Sequence, residues 1–117
     1  MRRVPPTTRP DAMIDDAIRS LLRAPPCGAN APSLNEIEDR LTAGYAHALA
    51  LDAERRRLER RLAEAAANMG NRLSTDADVA ELGRRISTAD RDLAEMRRLL
   101  SYLRGRAVEL RTRADAA

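Results

Sequence analysis

The sequence lacks most of the residues on which enzymes and thick globular cores depend. It has no Trp, no Phe and two Tyr, so the aromatic bulk of an ordinary core is missing. The single cysteine, Cys27, excludes an intramolecular disulfide and is typical of a reducing compartment. No apolar run is long enough for a membrane-spanning helix, and no apolar segment follows Arg2 and Arg3 as in a secretory signal. We therefore expect a cytoplasmic protein without a membrane span.

Groups that carry catalysis or hold metal ions are also scarce. His47 is the only histidine, and Ala43, Gly44, Ala50 and Leu51 occupy the neighbouring helical positions where a metal site needs carboxylates or thiolates. The acidic pairs along the chain are typical of solvated helix charges rather than general acids. No glycine-rich loop precedes a helix. We expect no catalytic residue, no metal ion and no enzyme activity.

The residues that are abundant point to long helices. Charged residues make up 33% of the chain, and all 21 basic residues are arginine. Ala, Leu, Arg and Glu in helical periodicity are typical of a coiled coil. A GC-rich genome would explain the arginine bias, and so would selection for bidentate contacts to phosphate or carboxylate groups.

Two segments, about 34–69 and 76–114, carry apolar residues at alternating spacings of three and four. This heptad pattern predicts two long helices with narrow apolar stripes, and Gly44 and Arg55 are its two irregular positions. The stripes are Leu34, Ile37, Leu41, Gly44, Ala48, Leu51, Arg55, Leu58, Leu62, Ala65 and Met69, then Val79, Leu82, Ile86, Ala89, Leu93, Met96, Leu100, Leu103, Ala107 and Leu110.

The ends of these helices are marked by capping residues and Gly70. Candidate capping pairs are Ser33 with Glu36 at the first helix, and Thr75 with Asp78 or Asp78 with Glu81 at the second. Gly70 is expected to end the first helix. Because the connection is short, the helices must form an antiparallel hairpin. In that arrangement the acidic start of the first helix lies along the arginines near the end of the second.

The chain before the hairpin divides into three parts. Residues 1–10 are rich in proline and predict a disordered arm, and residues 11–23 form a short amphipathic helix by their apolar spacing. Residues 24–33 contain three prolines and a glycine and predict a linker. The fold class is therefore all-α, with a coiled-coil helical hairpin over residues 34–117.

A second apolar flank remains beside the main stripes, and it is a candidate partner-binding surface. Its residues are Leu99, Tyr102, Val108, Tyr45 and Leu49. The short helix 11–23, a second hairpin completing a dimeric four-helix bundle, or a partner protein are the occupants to consider. Such a flank favours a protein-interaction function.

The arginine runs at 54–61 and 97–113 suggest phosphate contacts as an alternative. Each run faces acidic residues in the hairpin, and the net charge is only +3. Arg55 stands at a stripe position, where a polar residue can set register; it either faces Asp90 or Asp92 or meets an anionic ligand.

The segment "DRDLAEMRRLLSYLRGR", residues 90–106, resembles the signature helix of actinobacterial helical-hairpin anti-sigma factors that bind cyclic di-GMP. That family carries Glu, Ser, Arg, Gln and Asp at set intervals. The corresponding residues here are Asp90, Ala94, Arg97, Ser101 and Gly105. Only Arg97 is identical and Asp90 is a conservative change, so the resemblance implies that dinucleotide binding is lost or altered.

Two functional hypotheses follow from the sequence, with a third held in reserve. The first is a non-enzymatic regulatory or adaptor protein that binds a protein partner through its hairpin, a sigma factor being the partner that the resemblance implies. The second is an arginine-rich nucleic-acid-binding or nucleoid-associated hairpin, and the third is a structural subunit of a larger assembly. Arg97, Asp90, Ser101 and Arg55 are the candidate ligand or phosphate contacts.

Overall fold

The computed structural model of the protein describes residues 10–116, with side chains from Met13 onward. Its elements are α1 (Pro10–Arg23), α2 (Leu34–Met69) and α3 (Asp76–Ala116). The all-α fold class is confirmed, and the long helices fall where the heptad pattern predicts them. The predicted disordered arm lies outside the described residues except for Pro10, which begins α1.

The described chain divides into two compact units. Unit 1 takes in the described residues up to His47 together with those from Met96 onward, and unit 2 is Ala48–Glu95. Each unit therefore contains one part of α2 and one part of α3, and unit 1 also contains α1.

Unit 1 is a three-helix arrangement with its own core. Its buried side chains are Ile18, Ile37, Leu41, Met96, Leu99, Leu100, Leu103 and Ala107. An ion pair from Glu38 to Arg111 (3.1 Å) joins the start of α2 to the end of α3. This confirms the expected antiparallel pairing of the acidic and arginine-rich segments within the unit.

Unit 2 is a two-helix core built from small and aliphatic side chains. Leu58, Ala65, Leu82 and Ala89 are buried, and the half-buried Leu62, Val79 and Ile86 pack against them. All of these residues are stripe positions, so the heptad pattern correctly predicts the inward face. Met69, the last stripe position of α2, is 37% exposed because it lies at the end of the helix.

The turn between α2 and α3 is closed by two capping structures. The N–H of Leu73 donates to the carbonyl of Asn68, and that of Arg72 donates to Met69, which together form a Schellman motif. The left-handed residue of this motif is Arg72 (φ 60°), whereas Gly70 has no positive φ. α2 ends at Met69, directly before Gly70 as predicted, and the left-handed conformation follows two residues later.

The start of α3 is held by Thr75 and Asp78. The N–H of Thr75 donates to Asp78 Oδ2 (2.9 Å), and the N–H of Asp78 donates to Thr75 Oγ1 (3.1 Å). Of the two predicted capping pairs, the structure uses the first. At the start of α2, the N–H of Glu36 donates to Ser33 Oγ as expected (3.1 Å).

Candidate protein-binding site

A surface groove runs beside α3 in unit 1, and we name it the Tyr102 groove. It has a volume of about 470 Å³. Its lining residues are Leu22, Ser101, Tyr102, Gly105, Arg106 and Glu109. Leu22 belongs to α1 and the others to α3, so the groove exists only because α1 lies against α3.

The C-terminal end of α1 is held in place by two arginines of α3. Arg106 donates to the carbonyl of Leu22 (3.0 Å), and Arg113 donates to the carbonyl of Pro26 (3.1 Å) in the linker. The last carbonyls of a helix have no partner within the helix and carry partial negative charge. The guanidinium of Arg106 therefore satisfies a backbone group that α1 cannot satisfy itself.

The middle of α1 is held by one deeply buried side chain. Ile18 is fully buried and approaches α2 at Gly44. A Cβ atom placed on Gly44 would lie 2.5 Å from Leu100 Cδ2 and 3.2 Å from Ile18 Cδ1. Only glycine permits this close approach of three helices, which explains the irregular residue in the heptad stripe of α2.

Tyr102 is the most exposed aromatic side chain of the described residues, at 61%. The neighbouring Gly105 has open space where a Cβ would lie, so this wall of the groove is low. An exposed tyrosine in a concave surface offers a large apolar ring with a hydroxyl that can donate or accept a hydrogen bond. Tyrosine is also enriched among the residues that dominate protein–protein binding energy.

The five predicted partner-binding residues do not form one surface. Leu99 is only 6% exposed and belongs to the core of unit 1, so, contrary to the prediction, it offers no surface to a partner while α1 is in place. The reason lies in its spacing: Leu99, Tyr102 and Arg106 lie along one side of α3, and Arg106 contacts α1 there. Of the three occupants considered for the flank, the structure thus places α1 on this side.

The other three predicted residues are exposed but lie outside the Tyr102 groove. Val108 is 52% exposed, and six residues of helix rotate it about 240° from Tyr102. Tyr45 on α2 is 43% exposed, and Leu49, in unit 2, is 72% exposed. Only Tyr102 combines exposure with a concave apolar surrounding.

The predicted ligand contacts Arg55 and Asp90 meet each other within unit 2. Arg55 Nε lies 2.5 Å from Asp90 Oδ1 and 3.1 Å from Glu59 Oε1. The Nε atom is buried, and neither carboxylate has the alignment of a hydrogen bond, so both contacts are ionic. Arg55 thus faces Asp90, one of the two residues expected, and this contact neutralises its charge without a ligand.

The remaining ligand candidates are in unit 1. Arg97 is exposed, and Ser101 lines the Tyr102 groove. Of the residues that resemble the anti-sigma signature, the groove contains Ser101 and Gly105 only.

Many arginines of the two runs serve as internal partners. Within unit 1, Arg106, Arg111 and Arg113 bind groups of α1, α2 and the linker. Within unit 2, Arg56 pairs with Asp52 (2.8 Å), and Arg57 pairs with Glu54. Four arginines of the two runs, Arg55, Arg56, Arg57 and Arg111, thus have a carboxylate partner, and Arg106 and Arg113 bind backbone carbonyls.

Sequence reasoning missed most of the groove. Leu22, Arg106 and Glu109 gave no signal of their own, because the groove forms only when α1 lies against α3. The spacing of Leu99 and Tyr102 marked an apolar side of α3 beside the main stripe, but it did not show which element covers that side.

A metal-ligand group and a membrane-spanning helix are both absent from the described residues. Between residues 10 and 116, no group of three or more His, Cys, Asp or Glu side chains converges as metal ligands would. No helix in that range has the length and apolar character needed to cross a bilayer.

The chain matches no protein-family model, no curated protein and no solved structure. The proposal for its function therefore rests on the positions and contacts of its own residues.

Proposed function

We propose that the protein is a cytoplasmic, non-enzymatic regulatory or adaptor protein that binds a protein partner through the Tyr102 groove. The observation that carries this proposal is the 61% exposure of Tyr102 beside an apolar wall formed by Leu22. A tyrosine left in water beside such a wall gains binding energy when a partner covers both groups.

The composition of the groove fits a protein partner better than a small ligand. Tyr102 and Leu22 supply the apolar centre, whereas Ser101, Arg106 and Glu109 supply polar groups around it. An apolar centre with a polar rim is the usual arrangement of protein–protein interfaces. The low wall at Gly105 leaves room for a partner backbone to approach α3.

A sigma factor is the first partner to test, because residues 90–106 resemble the signature helix of the anti-sigma hairpins. Cyclic di-GMP binding is the less favoured part of that resemblance. Asp90 already pairs with Arg55, and Gly105 has no side chain where the family carries Asp. Self-association through the same groove is a further candidate, and it would give a dimer.

Nucleic-acid binding is the alternative, and four exposed arginines of unit 2 favour it. Arg60, Arg61, Arg85 and Arg91 have no acceptor within the described part of the chain. Such side chains can neutralise phosphates, and complexes that depend on them weaken steeply with salt. An interface centred on Tyr102 should resist salt, so the two proposals predict opposite behaviour.

The test is a pull-down from native host lysate with tagged full-length protein, washed at about 50 mM and about 200 mM salt. Wild type is compared with Tyr102→Ala, and Tyr45→Ala is the matched control because it removes the same side chain outside the groove. Mass determination of the eluate separates a partner from self-association. Cyclic di-GMP is then titrated onto the complex.

The proposal predicts a protein partner that survives the higher salt, is lost with Tyr102→Ala and is retained with Tyr45→Ala. Nucleic acid that is released by salt, without a protein partner, would overturn it in favour of the arginine face. If Tyr102→Ala and Tyr45→Ala retain the partner protein equally well, the partner binds another surface.

A further inference from the structure

We propose that α1 is an intramolecular occupant of a helix-binding cleft in unit 1, and that a partner's amphipathic helix displaces it. The cleft has two parts. One is the space beside Gly44 that Ile18 fills, which we name the Gly44 notch, and the other is the side of α3 that carries Leu99 and Arg106. The inference rests on the proposed function for the identity of the natural partner, whereas the existence of the cleft and its opening can be tested without one.

α1 has one fully buried side chain among the residues described, and its other apolar side chains are half-buried or exposed. Ile18 is its only fully buried side chain among the residues described, and Met13 on the same helix is 62% exposed. Four further apolar residues of α1 are half-buried: Ile14, Ala17, Leu21 and Leu22. Arg106 donates to the carbonyl of Leu22, and Arg113 donates to the carbonyl of Pro26 just beyond the helix. A short helix whose side chains are mostly half-buried or exposed is expected to open locally at a lower free energy than the long helices.

The free helix also has little stability of its own. α1 has 14 residues, and isolated helices shorter than about 12–15 residues are marginal in water. It is connected to α2 by residues 24–33, a segment with three prolines and Gly28 in a positive-φ conformation. Opening therefore breaks no long helix and requires motion only at this connection.

The present occupant shows what the cleft accepts. The Cδ1 atom of Ile18 lies 3.2 Å from the place where a Cβ on Gly44 would be, so the notch accepts a branched aliphatic side chain. Arg106 donates to a carbonyl in the last turn of α1, so it can cap the C-terminal end of a bound helix. The partner we infer is an amphipathic helix with an aliphatic residue one turn before its C-terminal end.

Displacement of α1 would also change the Tyr102 groove. Leu22 forms one wall of that groove and would leave with α1, while Leu99, now 6% exposed, would become accessible beside Tyr102. The exposed groove is then the edge of a larger apolar cleft. A partner that binds with α1 in place covers Tyr102 and Leu22, whereas one that displaces α1 reaches Tyr102 and Leu99 instead. The contact of α1 is in this sense autoinhibitory.

The first measurement is hydrogen exchange on the full-length protein. We expect the amides of α1 to exchange much faster than those of α2 and α3 within unit 1. Ile18→Ala should raise the open population at least about 30-fold, since it deletes buried methyl groups, and Met13→Ala should change it little. Arg106→Gln, with Arg104→Gln as its control, gives a second opening variant if Ile18→Ala fails to fold.

The second measurement uses a fluorescent peptide of residues 10–23 as the probe. Full-length Ile18→Ala should bind it at least about tenfold more tightly than wild type, because the competing intramolecular helix is weakened. A peptide that itself carries Ile18→Ala should not bind. Amides of α1 as protected as those of the long helices, or opening variants with no gain in peptide binding, would overturn the inference. Either failure would leave the partner test at Tyr102 unaffected.

Discussion

Replacement of Gly44 by alanine tests whether the close approach of three helices in unit 1 is a real packing constraint. The added Cβ would lie 2.5 Å from Leu100 Cδ2, and Leu100 is itself only 3% exposed, so its side chain has little room to move. Overpacking of a filled core costs about 1–3 kcal/mol. Alanine gains about 1 kcal/mol over glycine inside a helix. The balance is a destabilisation of about 1 kcal/mol.

Gly105→Ala is the matched control because it changes the same residue type in the same unit. No atom lies within 4 Å of the Cβ position at Gly105, so only the helix-propensity gain of about 1 kcal/mol applies. The two variants should therefore differ by about 2 kcal/mol in the free energy of unfolding, with opposite signs relative to wild type.

Chemical denaturation followed by circular dichroism measures both variants. The midpoint of Gly44→Ala should fall and that of Gly105→Ala should rise, with an unchanged slope for each. If Gly44→Ala stabilises the protein as much as Gly105→Ala does, the three helices do not meet at Gly44 and the packing account of unit 1 fails.

Three further substitutions test the turn, a cap and the polar stripe position. Arg72→Gly should raise the unfolding free energy by up to about 1 kcal/mol, since Arg72 has a φ of 60° and a side chain costs about 1–2 kcal/mol there; a loss of stability in denaturation would contradict this. Thr75→Ala should cost about 1 kcal/mol by removing the acceptor for the Asp78 N–H, and unchanged hydrogen exchange in the first turn of α3 would refute the capping role. Arg55→Leu should stabilise the protein by about 1 kcal/mol, because a partly exposed ion pair contributes little and an apolar side chain suits the stripe; a lower thermal midpoint would show that the pair matters more.

Local and periodic features of the fold could be predicted from the sequence. The heptad pattern gave both long helices because their apolar stripes must be buried together, and the prolines of residues 24–33 mark the break before α2. The pairing of Arg55 with Asp90 could be anticipated as one of two options, since a charged residue at a stripe position is favoured by an opposite charge across the hairpin.

Features that depend on contacts between helices could not be predicted from the sequence. Gly44 looks like a defect in the stripe until Ile18 of α1 is seen beside it. Leu99 looks like a free flank residue because nothing local reveals that α1 covers that side of α3. Arg72 adopts a backbone conformation normally taken by Gly or Asn, so its residue type gives no indication of this role in the turn.

For the same reason the candidate site was only partly foreseen. Tyr102 was identified as an apolar residue outside the main stripe, but the groove around it needs Leu22 from α1. The spacing of residues along one helix does not show which residue of another helix will lie beside them.

The central claim is that a partner protein binds at the Tyr102 groove of unit 1. Hydrogen exchange of the full-length protein, with and without the partner captured in the pull-down, tests it most directly. We expect slower exchange in residues 101–109 of α3 when the partner is bound. Faster exchange in α1 would show in addition that the partner displaces this helix. The claim would be contradicted if slower exchange were confined to the amides of residues 84–91, where exposed arginines lie. It would also be contradicted if no amide of α3 exchanged more slowly.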